Sequence, residues 1–143
     1  MFTGTYRHQI DDKGRFRIPV PLRKGLGDNP MMIVGFEDCI MIYPQEDYER
    51  IVNERFKSED ILNTEVSKIM RLIYSRSQAV EMDSQGRILL NSELADRVGI
   101  KKNLVTMGVG NRVEVWAEEV LEGEHDIEAE AKEAFKTVAQ TNK

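Results

Sequence analysis

"IDDKGRFRIP", residues 10–19, reads as a turn set between two strands. Before it, "GTYRHQI" alternates Tyr6, His8 and Ile10 against Thr5, Arg7 and Gln9, the period of a half-buried strand. "DDKG" has turn composition, and Gly14 is free to take the positive φ that such a turn needs. Strand alternation after Gly14 sends Phe16 and Ile18 to the core and Arg15 and Arg17 together to the opposite face. Lys13 sits at the tip, and Arg7 lies on the preceding strand of the hairpin. The spacing predicts a stiff two-stranded ribbon presenting several cations side by side. Such a ribbon fits a DNA major groove, where arginine reads guanine bidentately and lysine neutralises phosphate.

"MDSQGRILL", residues 82–90, writes the turn a second time. A shift of 72 places Asp11 on Asp83, Gly14 on Gly86, Arg15 on Arg87, Ile18 on Leu90, Leu22 on Leu94 and Gly27 on Gly99. One more residue of shift places Gly35 on Gly108, Ile40 on Val113, Ile42 on Val115 and Tyr43 on Trp116. Two copies are too few for a solenoid and predict a duplicated module packed as a pseudo-dimer. Each copy reads as strand, turn, strand, short helix, strand, turn, strand. Pro21 suits the first turn of the first short helix, and Asn91 or Ser92 can cap the second.

The expected organisation is repeat 1 over 5–47, a helical connector over 48–76, repeat 2 over 77–119 and an acidic tail over 120–143. Val66, Ile69, Met70 and Ile73 have helical spacing in the connector. The tail reads as a frayed helix that packs weakly.

The net charge is −5, but it is unevenly spread. Residues 1–24 carry +4 and residues 114–143 carry −6. This polarity lets one face attract an anion while the whole repels its own kind. No apolar run reaches the ~18 residues of a bilayer span, and the start has no signal-peptide pattern. Cys39 reads as a buried small hydrophobe. These features fit a cytoplasmic protein with no membrane partner. There is no zinc-spaced His/Cys cluster, Gly-x-Ser-x-Gly or phosphate loop. His8 and His125 stand in unlike contexts. The expectation is no enzyme, no catalytic residue, no metal, no cofactor and no small-molecule substrate.

Two roles remain open for the repeated Asp-x-x-x-Arg. Arg15 can pair with Asp11 and fix the turn, or reach a ligand. The second copy replaces Lys13 by Gln85, Arg17 by Leu89 and Arg7 by Ala79, keeping the scaffold and losing most of the charge. The DNA-binding candidates are therefore Arg7, His8, Lys13, Arg15, Arg17, Arg23 and Lys24. Asp11, Gly14, Asp83, Gly86 and Arg87 are assigned to the motif's structure. Arg71 and Arg76 read as a solvated or subunit-facing stripe.

"IDDKGRFRIPVPLRKGLG" resembles the strand–turn–strand–helix half of SpoVT/AbrB-type DNA-binding domains. Two copies joined by helices, in a chain of this length, are similar to the bacterial MraZ proteins. The resemblance implies a mainly β fold with helices: a tandem, swapped-hairpin, double-split β-barrel. It implies a sequence-specific transcriptional regulator of the division and cell-wall gene cluster, cytoplasmic and nucleoid-associated. It also implies a homo-oligomeric ring reading short G-rich direct repeats of double-stranded DNA in its own promoter. An antitoxin-type protein, binding a protein partner through the basic turn, is the competing reading.

Overall fold

The structure is a computed structural model describing residues 1–56 and 63–141. Positions 57–62 of the expected connector and 142–143 of the expected tail lie outside the described residues. The first copy contains β1 (Thr5–Gln9), β2 (Arg15–Arg17), α1 (Val20–Leu26), β3 (Met31–Val34) and β4 (Ile40–Tyr43). Helices α2 (Gln45–Phe56) and α3 (Thr64–Ser75) follow. The second copy repeats the order with β5 (Ser77–Ala79), β6 (Arg87–Leu89), α4 (Ser92–Arg97), β7 (Asn103–Gly108) and β8 (Val113–Ala117). The chain continues through α5 (Glu118–Glu124) and α6 (Ile127–Thr141).

The copies exchange strands. A six-stranded antiparallel sheet runs β1-β7-β8-β4-β3-β5, and β2 pairs with β6 as a separate ribbon. The first strand of each copy lies against the third strand of the other, while β4 meets β8 and β2 meets β6. Swapping the two copies reverses the strand order and leaves it unchanged, so a pseudo-two-fold axis passes through the β4/β8 and β2/β6 pairs. The expected swapped hairpins are present, but the sheet stays open, with β1 and β5 as its edges.

The strands MMIV and IMIY read as nearly continuous apolar runs because both sheet faces are covered. Met32, Val34, Ile40, Ile42, Val113 and Val115 pack with Phe16, Ile18 and Ile88 beneath the ribbon. Ile33, Met41, Val105 and Trp116 face the other way, against Tyr48 and Val52 of α2 and Leu121 of α5. Cys39 is buried there, and desolvation pushes its thiol pKa up.

The short helices follow local rules. Pro21 stands in the first turn of α1 and Gly27 ends it at φ 75°. Asn91 caps α4 by accepting a hydrogen bond from the Leu94 N–H at 2.9 Å. In α3, Val66, Met70 and Ile73 are half-buried, whereas Ile69, Leu72 and Tyr74 stay exposed. Arg76, expected on a solvated or subunit-facing stripe, is half-buried and donates to the Gly35 carbonyl.

The tail divides into two unlike helices. α5 docks: Leu121 is buried, and Glu118 and Glu122 each accept from Arg7 at 2.7 Å. His125 then packs edge-on to Trp116 with ring centroids 4.9 Å apart. The described side chains of α6 are exposed, including Ile127, Phe135 and Val138. The expectation of weak packing therefore fits α6 and fails for α5, whose apolar residue reaches the sheet.

Candidate nucleic-acid interface

The β2/β6 ribbon contains only three residue pairs: Arg15 with Leu89, Phe16 with Ile88, and Arg17 with Arg87. Phe16 and Ile88 are essentially unexposed and anchor it to the core. Alternation puts the remaining four side chains on the outer face. That face is three arginines and one leucine.

Each end of the ribbon is closed by one carboxylate. Asp11 accepts from the backbone N–H of Lys13 at 2.9 Å, that of Arg15 at 2.8 Å and Arg15 Nε at 2.9 Å. Asp83 repeats this with the N–H groups of Gln85 and Arg87 at 2.9 Å and Arg87 Nε at 2.7 Å. These bonds favour the ionised form, the Arg15 and Arg87 N–H groups contributing most. Asp11 is held below the usual carboxylate range, and Asp83 falls to about 2. Gly14 and Gly86 take φ of 79° and 77°, which lets each turn fold back on itself. Their carbonyls accept from Leu90 and Ile18 of the other copy, each at 2.8 Å, so each turn is tied to its neighbour.

The aspartates hold Arg15 and Arg87 through Nε. Among the described residues, the terminal nitrogens of Arg15 make no hydrogen bond to protein. A guanidinium fork fixed at its base and open at its end is the arrangement that bidentate recognition requires. Arg17 is buttressed from the second turn, donating from Nη2 to Gln85 Oε1 at 2.9 Å. It lies directly across from Arg87, and like charges opposite each other on paired strands are destabilising. Asp83 offsets that repulsion at Arg87, whereas Arg17 has no carboxylate partner among the described residues, only the neutral Gln85.

The other candidates separate. His8 lines the cleft shared by Arg15, Arg17 and Arg87, with Nε2 2.6 Å from Thr106 Oγ1. Burial lowers its pKa, which favours the neutral ring. Lys13 is exposed at the first turn. Arg7 is not on the ribbon: β1 pairs with β7 because the three residues of β2 pair with β6. Its guanidinium is taken by Glu118 and Glu122. Arg23 donates from Nε to the Ile18 carbonyl at 2.7 Å and lies against Gly86, closing the second turn from the first copy. Lys24 borders a different cleft, with Glu46 and Asp47 of α2. Arg87 and Leu89 join the outer face, which only the strand register reveals, and Gln85 borders it through its bond from Arg17.

Among the described residues, no cluster of His, Cys, Asp and Glu has the makings of a metal site, and no helix is long and apolar enough to cross a membrane.

The family model described as "MraZ protein, putative antitoxin-like" matches residues 1–69 and 73–143. The chain belongs to the MraZ family. It is 34% identical over 140 residues to a protein of Natranaerobius thermophilus called transcriptional regulator MraZ, covering 98% of this chain and 95% of that one. The Desulforamulus reducens protein of the same name is also 34% identical, over 98% and 96% of the two chains. A Clostridium beijerinckii relative, again called transcriptional regulator MraZ, is 36% identical over 83% of each. The two matched stretches take in both copies and, apart from residues 70–72 of α3, the helices between them.

Proposed function

We propose that this MraZ-family chain is a sequence-specific DNA-binding transcriptional regulator whose reading element is the outer face of the β2/β6 ribbon. The observation that carries this reading is Arg15, Arg17 and Arg87 on one three-pair ribbon, with Arg17 opposite Arg87. Duplex DNA offers phosphates to Arg17 and Lys13, which no carboxylate pairs among the described residues, and guanine edges to the open arginine fork. Arg15 reads base, Lys13 and Arg17 position against phosphate, and Asp11 orients Arg15. The names of the relatives support the regulatory role.

The targets proposed are short G-rich direct repeats in the promoter of the chain's own division and cell-wall operon. The working form proposed is a ring of copies, in the cytoplasm and associated with the nucleoid. One ribbon offers few contacts, so affinity would come from several bound at once. A head-to-tail ring presents its ribbons by rotation and suits direct repeats rather than palindromes, phased by about one helical turn, ~10 bp. The exposed apolar residues of α3 and α6 are surface available for such assembly.

The test is a salt titration on duplex DNA from upstream of the operon. Wild-type binding should weaken steeply, with a log–log slope of about −0.9 per phosphate neutralised. A flat response would refute the reading and favour a protein partner at the turn, the role that the family's antitoxin-like description suggests.

A further inference from the structure

Leu89 is 63% exposed, although it sits on a ribbon whose other outward side chains are arginines. It is in register with Arg15 and stands where the other copy has Arg17. Its Cδ1 lies 3.9 Å from where a Cβ on Gly14 would be, so it leans over the first turn. With Val80 and Met82 it lines the cleft that also contains Arg15 and Arg87. Folding does not require it, because Phe16 and Ile88 already supply the ribbon's buried anchor. Nor can it neutralise a phosphate.

Resting on the DNA-binding reading above, we propose that Leu89 determines specificity by contacting the 5-methyl group of a thymine beside the guanine read by Arg15. The major groove displays that methyl as an apolar feature, and apolar side chains recognise it by contact. Cross-strand neighbours have Cα atoms about 4.5–5.5 Å apart, and stacked bases rise about 3.4 Å. An in-register Arg–Leu pair therefore spans roughly one to two base-pair steps. Arg15 supplies donors to one base and Leu89 an apolar surface to the next. The second turn thus contributes reading as well as scaffold, through the residue at which it departs most from the first.

The experiment replaces thymine by uracil, which removes only the 5-methyl group. DNA from upstream of the operon is amplified with either dTTP or dUTP, and both duplexes are titrated by fluorescence anisotropy at one salt concentration. Wild type should bind the uracil duplex more weakly, by about fourfold per contacted methyl. Leu89→Ala and Leu89→Gln should bind the two duplexes alike. Equal binding of both duplexes by wild type would overturn the inference. So would an undiminished thymine preference in both variants, with or without a change in oligomer size by light scattering. If neither duplex binds, or Arg15→Ala binds as well as wild type, the DNA-binding reading fails and takes this inference with it.

Discussion

Asp11 and Asp83 close two turns with the same set of bonds: two backbone N–H groups and one arginine Nε, at nearly the same distances. Around the first turn stand Lys13 and Arg17; at the matching places around the second stand Gln85 and Leu89. The shared residues are those whose side chains or torsions make the turn. The differing ones contribute little to closing it. In a duplicated fold the pseudo-two-fold axis requires both copies to keep their scaffold, but it places no such demand on side chains that point outward. Divergence at the second turn therefore marks the outward residues that the turn does not need, and it leaves Arg15 and Arg87 alike in their bonds but different in the charge around them.

The largest expected effect is on the first turn. Arg15→Ala should lose about 1–3 kcal/mol of discrimination per guanine contact and, repeated around an assembly, abolish specific binding. Gel shift and light scattering together check it, since the particle mass should match that of wild type. Arg87→Ala should cost more in folding or assembly than in base reading. If Arg87→Ala removed specificity while Arg15→Ala spared it, the ranking of the two turns would be reversed.

A substitution at the glycines sharpens the comparison. A Cβ on Gly14 would stand 2.7 Å from the Leu90 carbonyl oxygen, which is backbone, and the φ of 79° is already strained for other residues. Gly14→Ala should destabilise by about 1–3 kcal/mol or more. At Gly86 the Cβ meets the Arg23 side chain at 2.1 Å. That side chain can swing away, giving up its bond to the Ile18 carbonyl. Gly86→Ala should therefore lower the thermal midpoint less than Gly14→Ala. Equal losses would mean that Arg23 clamps the second turn as firmly as backbone holds the first.

Charge at the tips is the next difference. Lys13→Gln should reduce the magnitude of the salt slope by about 0.9 per lost phosphate contact. Gln85→Lys should increase it by a similar amount if the second tip also reaches the duplex. An unchanged slope in Gln85→Lys would place that tip away from DNA.

The smallest effect should appear in acid. Both aspartates have depressed pKa values in the folded state. Their contribution is fully present above the unfolded value of ~3.9 and is lost as pH falls through the folded one, about 2 for Asp83. Urea midpoints measured between pH 5 and 2 should fall for wild type. They should fall less steeply for Asp11→Asn and Asp83→Asn, which start lower.

Much of the framework was legible because it is local. Gly14, the alternation after it and a cap at Asn91 or Ser92 each rest on neighbours in sequence, and the repeat compares one such stretch with another; the structure chose Asn91. Arg7 was not legible as an ion-pair partner of α5, because Glu118 and Glu122 lie more than a hundred residues away. Nor was Arg23 as a cover for Gly86, since the contact crosses between copies. Arg87 was assigned to the motif's structure because its own turn is poor in charge; the pairing of β6 with β2 also sets it beside Arg17, which its own turn does not show.

By itself the sequence determined the turns, the short helices, the spacing that lets Asp11 reach Arg15 and Asp83 reach Arg87, and the doubling of the module. These depend on side-chain period, torsional freedom and bonds spanning four residues. Tertiary structure decided which strand each strand pairs with, and so which cations share a face. A strand's unpaired backbone groups accept any partner of suitable register. The choice of β6 for β2, and β7 for β1, is made by the apolar faces that must close over one core.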